Sequence, residues 1–289
     1  MKQDLETLFF KPQTLEEALG LLDQFGSKAL VVNGGTDAVL HLIEKKVSPE
    51  AIVSISALPD FHRIMSTEDS ILIGGGVTYN ELLADHALAD HLGLYKAIMH
   101  LASPPIRAVA TLAGNICTAA PSADCTTMLL ALRATVHLAS LYGQHTVPLQ
   151  EYFISTYRTV RAPEELLTAI EIPRLSRGEG TGYCRLSRRK AQDIAKVLVG
   201  AWARMDGDQI QDISISLGAL NPCVVHAAQL EELLRGKTAQ QAAELCAATF
   251  PVEAKLRESY FKAYKQDVVC AAVSSAVNMA VGNAKGETA

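Results

Sequence analysis

Two segments rich in small residues hold the chemistry in this 289-residue sequence. The first, VVNGGTDA at 31–38, sets Gly34 and Gly35 between an apolar run and a resumed helical pattern. Consecutive backbone N–H groups bind a diphosphate well, and glycine lets the chain offer them without a side chain in the way. A Gly-Gly turn at a strand end also serves structure alone, so this segment by itself leaves both readings open. The second, TLAGNICTAAPSAD at 111–124, offers Gly114 for close approach and Thr111, Asn115, Thr118 and Ser122 as neutral hydrogen-bonding groups. Asp124 adds an acceptor suited to a ribose or ring donor. The plainer alternative is a polar loop that caps the following helix at Ser122.

Competing chemistries are excluded by spacing. Gly74 and Gly76 are followed by Tyr79 where a dinucleotide fingerprint needs glycine, and no Gly-Lys-Ser or Gly-Lys-Thr ends a P-loop. Cys117 and Cys125 lie near the second segment, but the closely grouped cysteines of an iron–sulfur site are missing. No H-E-x-x-H or Ser-His-Asp pattern appears, so no catalytic residue and no metal ligand is assigned. Asp37 reads equally as a ligand contact or as an acid favoured by a helix N-terminus. Arg188, Arg189 and Asp193 read as a surface ion-pair cluster.

The elements that must position these loops alternate through the chain. Thr14 and Glu17 form a capping box for a helix ending near Gly26, and Ala29–Asn33 reads as a buried strand. Ala51–Ile55 is another strand, and His62–Met65 pairs with Ser70–Gly74. A second capping box, Thr78 to Glu81, opens a helical region that Pro104 and Pro105 stop. Residues 107–124 hold neither periodicity for long, the mark of backbone that wraps something. A helix over 122–132, a strand over 135–140 and the strand Leu166–Pro173 follow. The glycine-rich stretch 177–182 reads as a loop and a domain boundary. Beyond it, two strands meet at Asp206-Gly207-Asp208, and three helices follow near 227–234, 239–248 and 252–279.

Length suits two domains, and 49% apolar with 20% charged residues excludes a disordered chain. A net charge of -5 argues against nucleic acid, and RLSRRK at 185–190 is too short to change that. No uninterrupted apolar run reaches spanning length and no leader pattern opens the chain, so neither a membrane nor export is expected. Six scattered cysteines fit reduced thiols in a cytoplasm.

In this order, about 77 residues apart, the two segments resemble the FAD-binding subunit or domain of the molybdenum hydroxylases, the xanthine dehydrogenase family. FFKPQTLEEAL, IRAVATLAGN, EELLTAIEIP and YCRLSRRKAQDIAKV extend the resemblance over nearly the whole chain. It implies an α+β fold: a two-subdomain FAD-binding domain of the vanillyl-alcohol-oxidase/PCMH type at 1–176, then a smaller α+β C-terminal domain at 177–289. The cofactor it implies is FAD. Its diphosphate would meet Leu30, Val31, Val32, Asn33, Gly34, Gly35, Thr36 and Asp37. Flavin and diphosphate would meet Thr111, Leu112, Ala113, Gly114, Asn115, Thr118 and Asp124, with Leu167 and Arg185 approaching the flavin. Tyr157 and Arg158 match a loop near the ring edge. Ala113 stands where the family commonly has glycine, and Arg185 where it often has lysine.

The resemblance further implies a relay of electrons between partners. These are a large subunit holding molybdenum cofactor, a small subunit holding two-iron, two-sulfur clusters, and NAD or another acceptor. A stand-alone flavin oxidase or reductase and a non-catalytic ligand-binding or assembly protein are the alternatives. Purines, nicotinate-like heterocycles and aldehydes all stay open as substrates of the assembled enzyme.

Overall fold

The computed structural model describes residues 7–189, 192–256 and 258–287. Near the N-terminus, β1 (Leu8–Phe10), β3 (Ala51–Ser54) and β2 (Ala29–Val32) form a parallel sheet in the order β1-β3-β2. Helix α1 (Leu15–Phe25) packs Ala18, Leu19 and Leu22 into a small core with Val53, Ile55 and Phe61. Its start follows the sequence pattern with one shift. The Thr14 hydroxyl accepts from the Glu17 N–H at 3.1 Å, while the Glu17 carboxylate takes the N–H of Gln13 at 2.7 Å, one residue before the cap.

A five-stranded antiparallel sheet comes next, in the order β4 (Ile64–Ser66), β5 (Ser70–Gly74), β10 (Leu166–Pro173), β6 (Thr135–Ser140), β7 (Gly143–Pro148). The edge strand β7 is mostly exposed and carries no alternation, so nothing in its sequence announces it. Helix α2 (Ala38–Ile43) lies against β2, and the same part of the chain holds α3 (Tyr79–Ala84), α4 (Leu92–His100), α5 (Pro104–Arg107), α6 (Leu112–Thr118), α7 (Asp124–Ala131) and α8 (Leu149–Tyr152), with α6 against β10. A short ladder joins β8 (Phe153–Ser155) to β9 (Arg158–Thr159). The Thr78–Glu81 capping box at α3 forms in full.

Three local expectations change. Pro104 and Pro105 open α5 rather than merely ending what precedes it, because a first helical turn has no use for the N–H that proline lacks. The stretch 107–124 contains a true helix, α6, whose small residues mask its period; Thr111 Oγ1 caps it by accepting from the Gly114 N–H at 3.1 Å. Ser122 caps nothing: α7 begins at Asp124 after Ala123, without a side-chain cap.

The third sheet runs β11 (Glu179–Leu186), β12 (Val197–Asp206), β13 (Gln209–Gly218), β14 (Val225–His226), all antiparallel. Helices α9 (Ala228–Leu234), α10 (Ala239–Ala248) and α11 (Lys262–Ala284) share a core with one face of it. Tyr183, Leu198 and Trp202 join the main core of α4 and α7 on the other. The expected loop 177–182 is largely strand β11. A Cβ on Gly180 would stand 2.4 Å from the Ala280 carbonyl oxygen, and one on Gly182 2.0 Å from that of Ala276, so these glycines let a helix lie directly on the strand. Helix α11 starts ten residues later than the sequence suggests. By length and composition alone it could cross a bilayer, an 18-residue window having a mean hydropathy of 1.2, although no apolar run in it is uninterrupted at that length. Here Val269, Ala272, Val273, Ala276 and Val277 are buried in the core shared with the sheet.

Candidate functional site

A cavity of about 760 Å3 opens where the ends of β2 and β10, the start of α6 and the α6–α7 connection meet. The two segments singled out in the sequence, 78 residues apart at Asn33 and Thr111, form adjoining walls. The Asn33 side-chain amide donates to the Gly75 carbonyl at 2.8 Å and to Thr111 Oγ1 at 3.3 Å, tying the first loop to the exit of β5 and to the second loop. Thr118 Oγ1 lies 2.9 Å from Asp37 Oδ2 and 3.0 Å from the Gly114 carbonyl, sharing its proton between them. Asp37 precedes α2 yet makes no capping bond with its side chain.

Leu30, Val31, Asn33, Gly34, Gly35, Thr36 and Asp37 line the cavity from the first segment, Thr111, Ala113, Gly114, Asn115, Thr118 and Asp124 from the second, and Leu167 from β10. Val32, Leu112 and Arg185 do not. Leu112 is fully buried in the main core. Arg185 stops behind Asp124, its Nε 2.8 Å from Asp124 Oδ1, where the resemblance places it on the cofactor. Tyr157 lines the opening in a left-handed backbone conformation, φ 59°, and Arg161 joins it, whereas Arg158 does not.

The two key glycines differ. At Gly34 a Cβ would stand 1.8 Å from the Val109 carbonyl oxygen, so the missing side chain lets two loops touch. At Gly114 a Cβ would meet only Thr111 Oγ1, at 3.0 Å, and that face of α6 is left open. Among the described residues, the backbone N–H groups of Gly34, Gly35, Thr36 and Asp37 find no protein acceptor, and neither does that of Ala113 at the start of α6. Backbone donors without protein acceptors on a cavity wall are open to water or to the acceptor oxygens of a ligand.

Gly75, Tyr79, Leu101, Ala102 and Ile106 also line the cavity and carried no sequence signal, because only chain reversal brings them there. Tyr79 is 1% exposed, and among the described residues its hydroxyl meets no partner in hydrogen-bonding geometry, with the Cys125 thiol beside it. Burial pushes that hydroxyl well above the usual phenol range and does the same to the neighbouring Cys125 thiol, so both stay neutral. Among the described residues, no three His, Cys, Asp or Glu side chains converge as metal ligands.

Free backbone donors, neutral hydroxyls and apolar walls at Leu30, Leu101, Ile106 and Leu167 together fit a ligand with a diphosphate, a ribose and a flat apolar ring. The comparisons with known proteins agree. Residues 3–175 match the family described as the FAD binding domain in molybdopterin dehydrogenase, and residues 182–280 the CO dehydrogenase flavoprotein C-terminal domain. The nicotinate dehydrogenase FAD-subunit of Eubacterium barkeri is 29% identical over 250 residues, 84% of each chain. The xanthine dehydrogenase/oxidase of Gallus gallus is 30% identical over 244 residues, which cover 80% of this chain and 18% of that longer protein. The solved carbon monoxide dehydrogenase from Hydrogenophaga pseudoflava superimposes with a TM-score of 0.88 at 26% identity, over 96% of this chain and 98% of that one. With more than half of its length matched to it, this chain belongs to the family of FAD-binding domains of the molybdopterin dehydrogenases, as the flavin subunit of an oxidoreductase.

Proposed function

We propose that this chain relays electrons within a molybdenum hydroxylase, between a small subunit with two-iron, two-sulfur clusters and NAD or another acceptor, while substrate is oxidised on a large subunit with molybdenum cofactor. The observation that carries this reading is the row of unpaired backbone donors from Gly34 to Asp37, held against the second loop by Asn33. FAD, when bound, supplies the exchange between one-electron carriers and a two-electron acceptor.

The chain's own part is to hold and orient. The N–H groups of Gly34–Asp37 and of Ala113 grip the diphosphate without side-chain charge, and the Asp37–Thr118 contact keeps the two loops at fixed spacing. Leu30, Val31, Asn115 and Leu167 complete the walls. The boundary near 176/177 separates this site from the sheet of β11–β14, whose strand β11 reaches back to Asp124. All six cysteines are unpaired, which supports a reducing cytoplasm.

Purification with FAD titration tests the reading. The full-length chain is expected to turn yellow with one FAD and to copurify with an iron–sulfur subunit and a molybdenum subunit. A colourless chain that takes up no FAD would sink it, as would a yellow chain that turns over a reduced substrate unaided.

A further inference from the structure

Tyr183 and Arg185 stand two residues apart on β11, so their side chains leave the strand on one face. Both reach a single atom. The Tyr183 hydroxyl lies 2.6 Å and Arg185 Nε 2.8 Å from Asp124 Oδ1. The arginine is itself pinned, with Nη1 donating to Ser187 Oγ at 2.5 Å and Nη2 to the Asp193 carbonyl. Side-chain exposures of 4% for Arg185 and 12% for Asp124 withdraw the pair from water, where losing one partner strands the other's charge. Asp124 lines the cavity, and among the described residues its Oδ2 has no protein partner. One oxygen is therefore held from β11, and the other is left for the occupant of the cavity.

The geometry points to Arg185 as a positioning residue: anchored on Asp124 Oδ1, it fixes and counterbalances the carboxylate that faces the cofactor, setting the grip on FAD and the flavin potential without touching the flavin. Tyr183 supports the same oxygen without adding charge. This inference rests on the FAD site proposed above. It differs from a direct role for Arg185 because all of its influence passes through Asp124. A lysine could meet Oδ1 as a point charge but could not also serve Ser187 and the Asp193 carbonyl with a planar fork.

The test uses the full-length chain, with FAD affinity read by flavin fluorescence and the midpoint potential by spectroelectrochemistry. Arg185→Gln is expected to weaken FAD about tenfold, as loss of a charge-assisted contact does. It should also lower the midpoint potential, since the uncompensated carboxylate repels incoming electrons. Arg185→Lys should recover most of the potential shift. Asp124→Asn should raise the potential, and adding Arg185→Gln to Asp124→Asn should cause no second tenfold loss. If Arg185→Gln does not fold, Asp124→Asn and Tyr183→Phe decide, the latter weakening FAD a few-fold with little change in potential. Equal effects of Arg185→Gln on the Asp and Asn backgrounds would overturn the inference, as would an Asp124→Asn variant with unchanged affinity and potential. A wild-type chain that binds no FAD sinks the proposed function instead, so the two failures are distinguishable.

Discussion

The cavity loops and the strand β11 both depend on glycine, and they use it in opposite ways. On β11, Gly180 and Gly182 are filled from outside by α11, whose backbone occupies the space their side chains would need. Around the cavity the space is divided. Gly34 is filled by the Val109 carbonyl, while Gly114 faces an opening and meets only the hydroxyl that caps its own helix. At these four positions the occupied space separates glycines that join parts of the fold from the one that faces an opening. Hydrogen bonding separates the regions in the same way. The β11–β12 and β12–β13 ladders are paired along their length, whereas the row at 34–37 leaves donors without protein acceptors. A fold tolerates unpaired donors where a ligand supplies the acceptors.

Substitutions should break this contrast in a fixed order. Gly182→Val is expected to be the most damaging, costing about 3 kcal/mol or more, since its Cβ would stand 2.0 Å from the Ala276 carbonyl oxygen and neither β11 nor the α11 backbone can move far enough to relieve that clash. Its signature in chemical denaturation is loss of folded protein whether or not FAD is present. Gly34→Ala should cost about 1–3 kcal/mol by prising the two loops apart, and FAD binding should fall together with the melting temperature. Gly114→Val should split the two readouts. Stability should drop by no more than about 1 kcal/mol, while FAD affinity falls at least about tenfold because a branched side chain enters the open face. A variant at Gly114 that keeps full FAD affinity would show that the open face of α6 is not used.

The smallest effect has the opposite sign. Tyr79→Phe removes a buried hydroxyl that has no hydrogen-bond partner among the described residues while keeping the ring, so the chain without FAD should gain about 1 kcal/mol in urea unfolding. A loss of stability of that size would mean that the hydroxyl has a partner, with Cys125 beside it the candidate.

Much of the cavity was legible from local chemistry. A strand running into Gly34-Gly35 and a second run of small and hydroxyl residues ending at Asp124 both line it, while Leu167 came only from the family resemblance. What misled was glycine in β11, because a strand that packs against a helix backbone has the composition of a loop. The unannounced residues, Gly75, Tyr79, Ala102 and Ile106, come from segments whose own patterns describe only their caps and turns.

By itself, then, the sequence determined many of the local elements, the capping at Thr14 and Thr78, and the two segments able to meet a diphosphate, since propensity and backbone geometry act over a few residues. Only the tertiary structure decided which glycine leaves space, that Asn33 is spent on joining loops, and that Arg185 stops at Asp124 instead of entering the cavity. Those outcomes depend on which atom occupies a volume or completes a hydrogen bond from more than forty residues away, and no local pattern encodes that competition.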